Sequence, residues 1–461
     1  MKSYNSGYIF GITLVATLGG LLFGYDTAVI SGAEQSIQHY LIEPLGLSAF
    51  AHGATVSSAL IGCIIGGAIS GLLSNRLGRK RTLQLAGLLF FTSALGSAFP
   101  EFLFFKRDEP SLSLLYMFNF YRIWGGIGVG LASAVTPTYI SEISPKEIRG
   151  RLVSFNQFAI IFGMLVVYFV NWGIANGQTI EWINDIGWRY MFASEAIPAG
   201  LFFTLLFLVP ESPRYLALKK KDDLALNVLE KINISKERAK VILDEINFTL
   251  SGVAKSRIFS YGKKVIIIGI LLSVFQQFVG INVVLYYAPR IFESMGVARD
   301  ASMLQTIVMG FVNVVFTVLA ILTVDKWGRK PLLITGSIGM AVGMIAISIL
   351  SYLNIFSILT LVFIIIFTAS FMMSWGPICW VYISELFPNK IRGQSVAIAV
   401  AFQWLANFII SSTYPGMMEF SSTFTYGFYG AMALLSAIFV WRMVPETKGK
   451  SLEEIEQIWK S

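Results

Sequence analysis

The sequence predicts an all-α membrane protein, and three observations support this fold class. Of its 461 residues, 55% are hydrophobic and only 13% are charged, and the mean hydropathy is +0.68. Hydrophobic segments long enough to cross a bilayer follow one another along most of the chain. Basic residues cluster after every second segment. Soluble domains carry about 25% charged residues, so this composition excludes the soluble fold classes.

Twelve candidate membrane spans can be counted. They cover residues 9–32, 54–75, 82–100, 113–138, 152–174, 189–209, 262–292, 302–324, 331–352, 355–382, 392–415 and 424–444. The first is too long for a signal-peptide core and should remain as a span. A polar interruption after the sixth span has apolar residues at helical spacing, which predicts short cytoplasmic helices. The predicted organisation is a six-helix bundle over 1–210, a cytoplasmic helical linker over 211–261, a second six-helix bundle over 262–445 and a C-terminal cytoplasmic helix over 446–461.

The net charge of +8 is spread along one membrane face. Basic clusters, for example at 76–81 and 326–330, fall between alternate spans, whereas the intervening loops hold few cations. This is the positive-inside pattern, and it places both termini in the cytoplasm. Cations dispersed in this way do not form the continuous groove of a nucleic-acid-binding protein.

The sequence predicts neither a metal site nor a cofactor. Cys63 and Cys379 each lie in an apolar segment, without a disulfide framework or a Cys/His spacing for a metal. The glycines of 125–130 lie within a span, where they suit close contact between helices and not nucleotide binding. We therefore do not expect an enzyme.

A group of amides lies inside the seventh span. Gln276 and Gln277 stand near its middle and Asn282 follows, and hydrocarbon offers such groups no hydrogen-bond partner. On a straight helix Asn282 would point about 120–140° away from the two glutamines. A break at Gly280 would let all three converge on one cavity, as in carriers with discontinuous helices. A single amide would more simply bridge two helices, but three around a glycine favour a solute site.

Side chains in other spans have the chemistry to complete such a site. Amides donate and accept hydrogen bonds, as sugar hydroxyls do, and aromatic faces cover the apolar side of a sugar ring. The Gly-Pro pair within 374–377 predicts a second helix break, in the tenth span. Taken alone, each aromatic residue is more often a packing residue or an interface anchor. The candidates are Gln157, Asn313, Trp380, Gln403 and Trp404.

Three ionisable residues lie well inside spans. Asp26, Arg122 and Glu195 fall within about one helical turn of each other along the membrane normal, so they can meet if their helices are neighbours. If a conformational change separated Asp26 from Arg122, the two conformations would bind a proton differently, as proton coupling requires. A static buried ion pair is the alternative interpretation, and these residues alone do not decide between the two.

The two halves of the chain repeat each other. NRLGRK at 75–80 returns as DKWGRK at 325–330, YISEISPKEIRG at 139–150 as YISELFPNKIRG at 382–393, and VPES at 209–212 as VPET at 444–447. Because each motif falls at the same point of its half, the pattern indicates duplication. Two copies of six spans are typical of a membrane carrier.

Longer motifs resemble a known family. They are FGYDTAVISG at 23–32, RIWGGIGVG at 122–130, VSFNQFAIIFG at 153–163, FQQFVGINVVLYYAP at 275–289, SWGPICWV at 374–381 and VPETKGKSLEE at 444–454. With them the chain resembles the sugar porter family of the major facilitator superfamily, and within it the proton-linked D-xylose symporters of bacteria. The resemblance implies the major facilitator fold, with two pseudo-symmetric six-helix bundles, and a monomeric carrier in the bacterial inner membrane.

The resemblance also implies roles for individual residues. Sugar contacts are expected from Gln157, Gln276, Gln277, Asn282, Trp380 and Gln403, with Phe23, Gly376 and Trp404 lining the pocket. Asp26 is expected to bind the proton, with Arg122 and Glu195 beside it. A network of charges between helices is expected to close the cytoplasmic side when the cavity opens outward. Its members are Arg79, Glu142, Arg149, Glu211, Arg214, Arg329, Glu385 and Arg392.

The expected function is proton-coupled symport of an aldose into the cytoplasm by alternating access. The alternative is a facilitative uniporter with the same site, which explains the duplication and the amide cluster but not Asp26 and Arg122. A membrane enzyme or sensor does not explain the duplication, the amides and the buried charges together. Met164 stands two turns after Gln157, where the resemblance to xylose carriers implies a glutamine. D-glucose and D-galactose therefore stay open beside D-xylose. The expected partners are the sugar, a proton and membrane lipid, without nucleic acid.

Overall fold

The protein is almost entirely helical in the computed structural model. It describes residues 4–102, 106, 109–145, 148–251, 259, 261–294, 296–355, 358–388 and 391–448. Within these ranges the backbone forms no strand and only one isolated antiparallel bridge, between Tyr4 and Asn233.

The helices of the first half follow the predicted spans. They are α1 (Ser6–Ile37), α2 (Ala49–Val56), α3 (Ser58–Leu77), α4 (Arg79–Ala98), α5 (Leu112–Ile143), α6 (Arg149–Ala175), α7 (Ile180–Trp182), α8 (Trp188–Ser194) and α9 (Ala196–Leu205). Side-chain caps fix where two of them begin, because Asn5 accepts a hydrogen bond from the backbone of Tyr8 and Ser111 accepts one from Leu114, each at 3.2 Å. A π-helical turn at Ile183–Gly187 joins α7 to α8.

The linker forms the short helices that its spacing predicted. They are α10 (Pro213–Leu218), α11 (Asp222–Ile232) and α12 (Lys236–Ser251). The second half contains α13 (Lys263–Phe278), α14 (Ile281–Tyr286), α15 (Ala288–Ser294), α16 (Arg299–Trp327), α17 (Arg329–Tyr352), α18 (Ile358–Met373), α19 (Trp375–Leu386), α20 (Arg392–Phe420) and α21 (Ser422–Met443). Of the C-terminal helix predicted over 446–461, residues 449–461 lie outside the described ranges.

The predicted membrane fold class is confirmed. Among the described residues, ten helical passes are long and apolar enough to cross a bilayer. Two further passes are less apolar or interrupted: α4 begins with three consecutive cations at 79–81, and α7 to α9 contain the π-helical turn. The passes alternate in direction, so Arg79 and Arg329 lie at one end of the molecule, here called the basic end. The other is called the far end.

Glycines allow neighbouring helices of one bundle to touch. A methyl group added at Gly126 on α5 would lie 1.8 Å from the carbonyl oxygen of Ala59 on α3. One added at Gly24 on α1 would lie 1.9 Å from the carbonyl oxygen of Ile160 on α6. Only a hydrogen atom fits at such distances. Gly126 therefore forms the close helix contact that was predicted for the glycines of 125–130.

Both predicted helix breaks are present. Between α13 and α14, Gly280 has a φ of +90°, in a region that residues with a Cβ rarely adopt. In the tenth pass, α18 ends and α19 begins on either side of Ser374. Each break leaves backbone and side-chain polar groups inside the bundle, where other protein groups can reach them.

An ion pair holds the far end of the first bundle together. Arg189 on α8 donates from Nη1 and Nη2 to Oε2 and Oε1 of Glu101, at 2.8 and 2.5 Å. The Tyr40 hydroxyl donates to Glu101 Oε1 at 2.8 Å. Burial favours the neutral form of Glu101, but the hydrogen bonds and positive charge of Arg189 outweigh it and lower the pKa of Glu101.

We expect Glu101→Gln to lower the free energy of unfolding by about 3–5 kcal/mol, because it leaves Arg189 buried without its counter-charge. Since the pKa of Glu101 is lower in the folded protein, the ionised pair stabilises above the unfolded pKa of about 4.3, and this stability is lost as the pH falls through the folded value. Thermal unfolding in detergent between pH 7 and pH 3.5 measures both effects. The control is Glu109→Gln, since Glu109 pairs with Lys106 at the surface; equal losses in the two variants would contradict the prediction.

Candidate functional site

Four amides form one hydrogen-bonded cluster at the break in the seventh pass. Asn282 Nδ2 donates to Gln277 Oε1 at 2.5 Å, and Gln277 Nε2 donates to Gln276 Oε1 at 3.3 Å. Gln403, on α20, donates from Nε2 to the same Oε1 of Gln276. The turn at Gly280 brings Asn282 to the side of the glutamines, which a straight helix would not do. The predicted convergence of the amides is therefore present, and Gln403 joins it.

Gln276 also connects the cluster to the second helix break. Its Nε2 donates to the carbonyl oxygen of Trp375 at 2.8 Å and lies 3.4 Å from that of Gly376. Both carbonyls belong to the start of α19, directly after Ser374. The two interrupted passes thus contribute to one polar region inside the second bundle.

Two polar atoms on α20 beside the cluster have no protein partner, because Gln403 Oε1 and Trp404 Nε1 are buried without a hydrogen bond. Both amide atoms of the predicted Asn313, on α16, are also buried without a partner, but no described hydrogen bond joins Asn313 to the cluster. These side chains are 5%, 6% and 1% exposed. A buried polar atom without a partner costs about 1–3 kcal/mol, so these atoms favour a ligand hydroxyl or an ordered water beside them.

The first bundle reaches the same region through Phe23. The ring of Phe23 on α1 lies 5.7 Å from that of Trp404 on α20, centroid to centroid. Gln157 on α6 and Trp380 on α19 are half-buried. Most of the predicted sugar residues therefore contact another member of the set, through the amide hydrogen bonds or through the Phe23–Trp404 ring contact. Gln157 and Trp380 form no hydrogen bond with the amide cluster.

Asp26, Arg122 and Glu195 lie together in the first bundle, as their shared depth predicted. Arg122 Nη1 donates to Asp26 Oδ1 at 2.7 Å, and both side chains are 2% exposed. The Glu195 carboxylate lies beside that of Asp26, and neither of its oxygens accepts a hydrogen bond from a donor group of the protein. Two acids and one guanidinium leave a negative charge unbalanced inside the membrane unless a proton is bound. The group can therefore hold a proton.

A short helix connects the amides with this charged group. Asn282 lies near the start of α14, and Tyr286 at its end interacts electrostatically with Asp26 and Arg122. The Tyr286 hydroxyl accepts a hydrogen bond from Asn407 Nδ2 at 3.3 Å. Sequence reasoning missed Asn407, although it stands four residues after Gln403 and so lies on the same face of α20.

At the basic end, charges of the first bundle form a compact cluster. Arg79 Nε and Nη2 donate to the two carboxylate oxygens of Glu142, both at 2.9 Å. Glu211 Oε1 accepts from the backbone N–H groups of Arg79 and Lys80, at 3.0 and 3.2 Å, and so caps α4. Burial raises the pKa of Glu211, and these hydrogen bonds only partly offset it.

The second bundle repeats this cluster. Arg329 Nη2 donates to Glu385 Oε1 at 3.0 Å. Glu446 accepts from the backbone N–H groups of Arg329 and Lys330, at 3.1 and 2.9 Å, and caps α17. The repeated sequence motifs therefore correspond to one repeated set of contacts.

Three of the predicted gate residues do not join these clusters in the described structure. Arg149 and Arg214 are exposed and form no ion pair with a described residue, because Glu142 is already paired with Arg79. The side chain of Arg392 lies outside the described residues. The contacts described for each cluster lie within one bundle, and a link between the bundles at the basic end remains a prediction.

The two bundles are joined at the far end instead. The hydroxyls of Ser57 and Ser412 lie 2.6 Å apart, and the Tyr168 hydroxyl donates to the carbonyl oxygen of Leu285 at 3.4 Å. Every hydrogen bond between described residues of the two bundles lies in this half of the molecule. The described structure is therefore closed at the far end.

Comparisons with known proteins give a consistent result. Residues 12–459 match the family described as "Sugar (and other) transporter". The chain is 53% identical to the D-xylose-proton symporter of Escherichia coli K12, over 99% of this chain and 96% of that one. It is 38% identical to the glucose facilitated diffusion protein of Zymomonas mobilis, over the full length of both. The fold is similar to the inward-open conformation of the xylose transporter XylE from E. coli, with a TM-score of 0.89 at 52% identity, over 98% of this chain and 100% of that one.

Gly280→Ala tests the turn that assembles the amide cluster. We expect it to lower the free energy of unfolding by about 1–2 kcal/mol or more. Alanine at this position would have to adopt a positive φ, and its methyl group would lie 2.8 Å from the Tyr429 ring. Gly416→Ala on α20 is the control, since a methyl group there meets nothing within 4 Å and the φ is ordinary. Thermal unfolding in detergent distinguishes the two, and equal midpoints would show that the turn at Gly280 is not required.

Proposed function

Since this chain belongs to the family of sugar transporters, we propose that it carries an aldose monosaccharide together with a proton into the cytoplasm by alternating access. The observation that carries the proposal is the cluster of neutral amides inside the membrane, with a buried Asp26–Arg122 pair nearby. The chain works as a monomer in the bacterial inner membrane, surrounded by lipid.

The sugar binds at the amide cluster. Gln276, Gln277, Asn282 and Gln403 exchange their mutual hydrogen bonds for bonds to sugar hydroxyls, which keeps the cost of removing the sugar from water low. Gln157 approaches from the first bundle, and Trp380 or Trp404 covers the apolar face of the ring. Binding from both bundles is what allows the sugar to bias their relative position.

The sugar is D-xylose, D-glucose or D-galactose. D-Xylose is supported by the 53% identity to the E. coli xylose symporter. Met164 is buried on α6 and adds no polar group near Gln157. A hydroxymethyl group in an apolar environment changes binding by only about 1–3 kcal/mol, which a hexose tolerates.

Asp26 binds the coupled proton. The ion pair with Arg122 opposes protonation of the Asp26 carboxylate. A conformation that separates Asp26 from Arg122, or that brings the Glu195 carboxylate closer to Asp26, favours its protonation. One proton entering per sugar down 100 mV supplies about 2.3 kcal/mol, enough for roughly fiftyfold accumulation. Uniport is the second candidate, and the relative named as a facilitated diffusion protein supports it.

The basic end faces the cytoplasm, as the positive-inside pattern requires, and so do both termini. Closure at the far end then corresponds to the inward-facing conformation. In the outward-facing conformation, the Arg79–Glu142 and Arg329–Glu385 clusters approach each other and close the cytoplasmic side. Arg149, Arg214 and Arg392 become part of the network in that conformation.

We expect Asp26→Asn to abolish uphill uptake of labelled xylose in energised cells and to spare counterflow exchange, because the amide cannot carry the proton while the sugar site is intact. Sugar added to energy-depleted wild-type cells should make the medium alkaline, and the variant should not show this. Asp223→Asn, at an exposed position of α11, is the matched control. Uphill uptake retained in Asp26→Asn would favour uniport or a different proton site.

Gln277→Leu tests the sugar site independently of coupling. Loss of one donor and one acceptor should weaken sugar binding at least tenfold, which is about 1.4 kcal/mol. Gln178→Leu, at an exposed position of the far end, should leave binding unchanged. Calorimetric titration of the purified protein with pentoses and hexoses measures the loss and identifies the preferred sugar; a variant with wild-type affinity would place the site elsewhere.

A further inference from the structure

A buried carboxylate lies between the two bundles at the far end. Glu34, near the end of α1, is 1% exposed, and its Oε1 has no hydrogen-bond partner. Its Oε2 lies 3.2 Å from His52 Nε2 on α2, a residue of the same bundle. It also accepts a hydrogen bond from Arg290 Nη1 on α15, at 3.3 Å. The carboxylate is thus held from one side by its own bundle and from the other by a cation of the partner bundle.

Arg290 crosses the boundary twice. Besides Glu34, its Nη1 donates to Gln38 Oε1 at 2.8 Å. The Arg290 side chain is 36% exposed, whereas that of Glu34 is 1% exposed. If the bundles separated here, the guanidinium would become hydrated easily, but the carboxylate would lose a counter-charge while it remained beside the first bundle. The cost of opening therefore falls mainly on Glu34.

The neighbouring contacts across the boundary are uncharged or involve one charge. Gln35 Nε2 donates to Glu293 Oε2 at 2.9 Å, and Ser57 and Ser412 share a hydrogen bond. The contact between Glu34 and Arg290 differs from them because both of its partners are charged. Among the described residues, Glu34–Arg290 is the ion pair that joins the two bundles.

We propose that the Glu34–Arg290 pair is a latch that stabilises closure of the far end and so sets the equilibrium between the two conformations of the transport cycle. His52 Nε2 lies 3.2 Å from both the backbone carbonyl oxygen and the carboxylate of Glu34, and so positions this residue toward Arg290. The proposal rests on the proposed alternating-access function. It differs from the gate predicted at the basic end, which acts in the opposite conformation.

The test uses a reporter cysteine at the closed boundary. Ser412→Cys places a thiol where the side chain is 1% exposed and contacts Ser57, while the native Cys63 and Cys379 are buried. In right-side-out membrane vesicles, we expect Arg290→Gln or Glu34→Gln to increase the labelling rate of this thiol by a membrane-impermeant maleimide at least tenfold. The double variant should label no faster than the faster single variant, because the two residues act through one contact.

Two control variants separate a latch from general loosening of the fold. Arg290→Lys keeps the charge and should label close to the parent rate. Arg299→Gln removes a half-buried cation of the same bundle that forms no ion pair with a described residue, and it should have no effect. Each variant should retain the parent unfolding midpoint within a few degrees.

Unchanged labelling in folded Arg290→Gln and Glu34→Gln would overturn the latch. Equal increases in Arg290→Gln and Arg299→Gln would overturn it as well. Sugar binding by the parent protein, measured in parallel, tests the proposed function separately: a parent that binds no sugar refutes that function, whereas the labelling rates still report on the boundary.

Discussion

Polar groups inside the membrane must find partners within the protein, and this constraint shapes the centre of the molecule. Hydrocarbon offers no hydrogen bond to Gln276, Gln277 or Asn282, so these side chains must reach partners inside the protein. On a straight helix Asn282 would point away from the two glutamines. The positive φ of Gly280 brings them together by turning the helix between them. The amides then bond to one another and to Gln403, and a sugar can replace those bonds with its hydroxyls.

The short helix α14 lies between the amides and the buried Asp26–Arg122 pair. Both ends of α14 carry polar side chains, with Asn282 in the amide cluster and Tyr286 near Asp26 and Arg122. The six residues of α14 therefore lie between the amide cluster and the helix that carries Asp26. At the end of α14, Asn407 donates a hydrogen bond to the hydroxyl of Tyr286.

Sequence reasoning reached the features that depend on a single segment or on membrane depth. The span pattern, the break at Gly280, the break near the Gly-Pro pair of the tenth span and the shared depth of Asp26 and Arg122 are of this kind, because period, breaker residues and depth can all be counted along the chain. Which helices are neighbours cannot be counted in this way. For that reason the predicted network of charges contained Glu142 without a defined partner, and the structure pairs it with Arg79.

Features that depend on contact between bundles were missed for the same reason. His52 belongs to no motif of the sequence, yet it is 1% exposed and lies beside Glu34, whose partner Arg290 is more than 200 residues away in the chain. α1 continues past the predicted end at residue 32 to Ile37, and Glu34 lies in this extension. The capping roles of Glu211 and Glu446 explain why the motifs at 75–80 and 209–212 recur together in the second half.

In the proposed mechanism, amides at the break in the seventh pass bind the sugar between the two bundles. A crystal structure with saturating D-xylose is the decisive measurement. We expect density for one pyranose ring in hydrogen-bond contact with Gln276, Gln277 and Asn282 on one side and Gln157 on the other. A sugar bound elsewhere, with the four amides still bonded to one another, would contradict it.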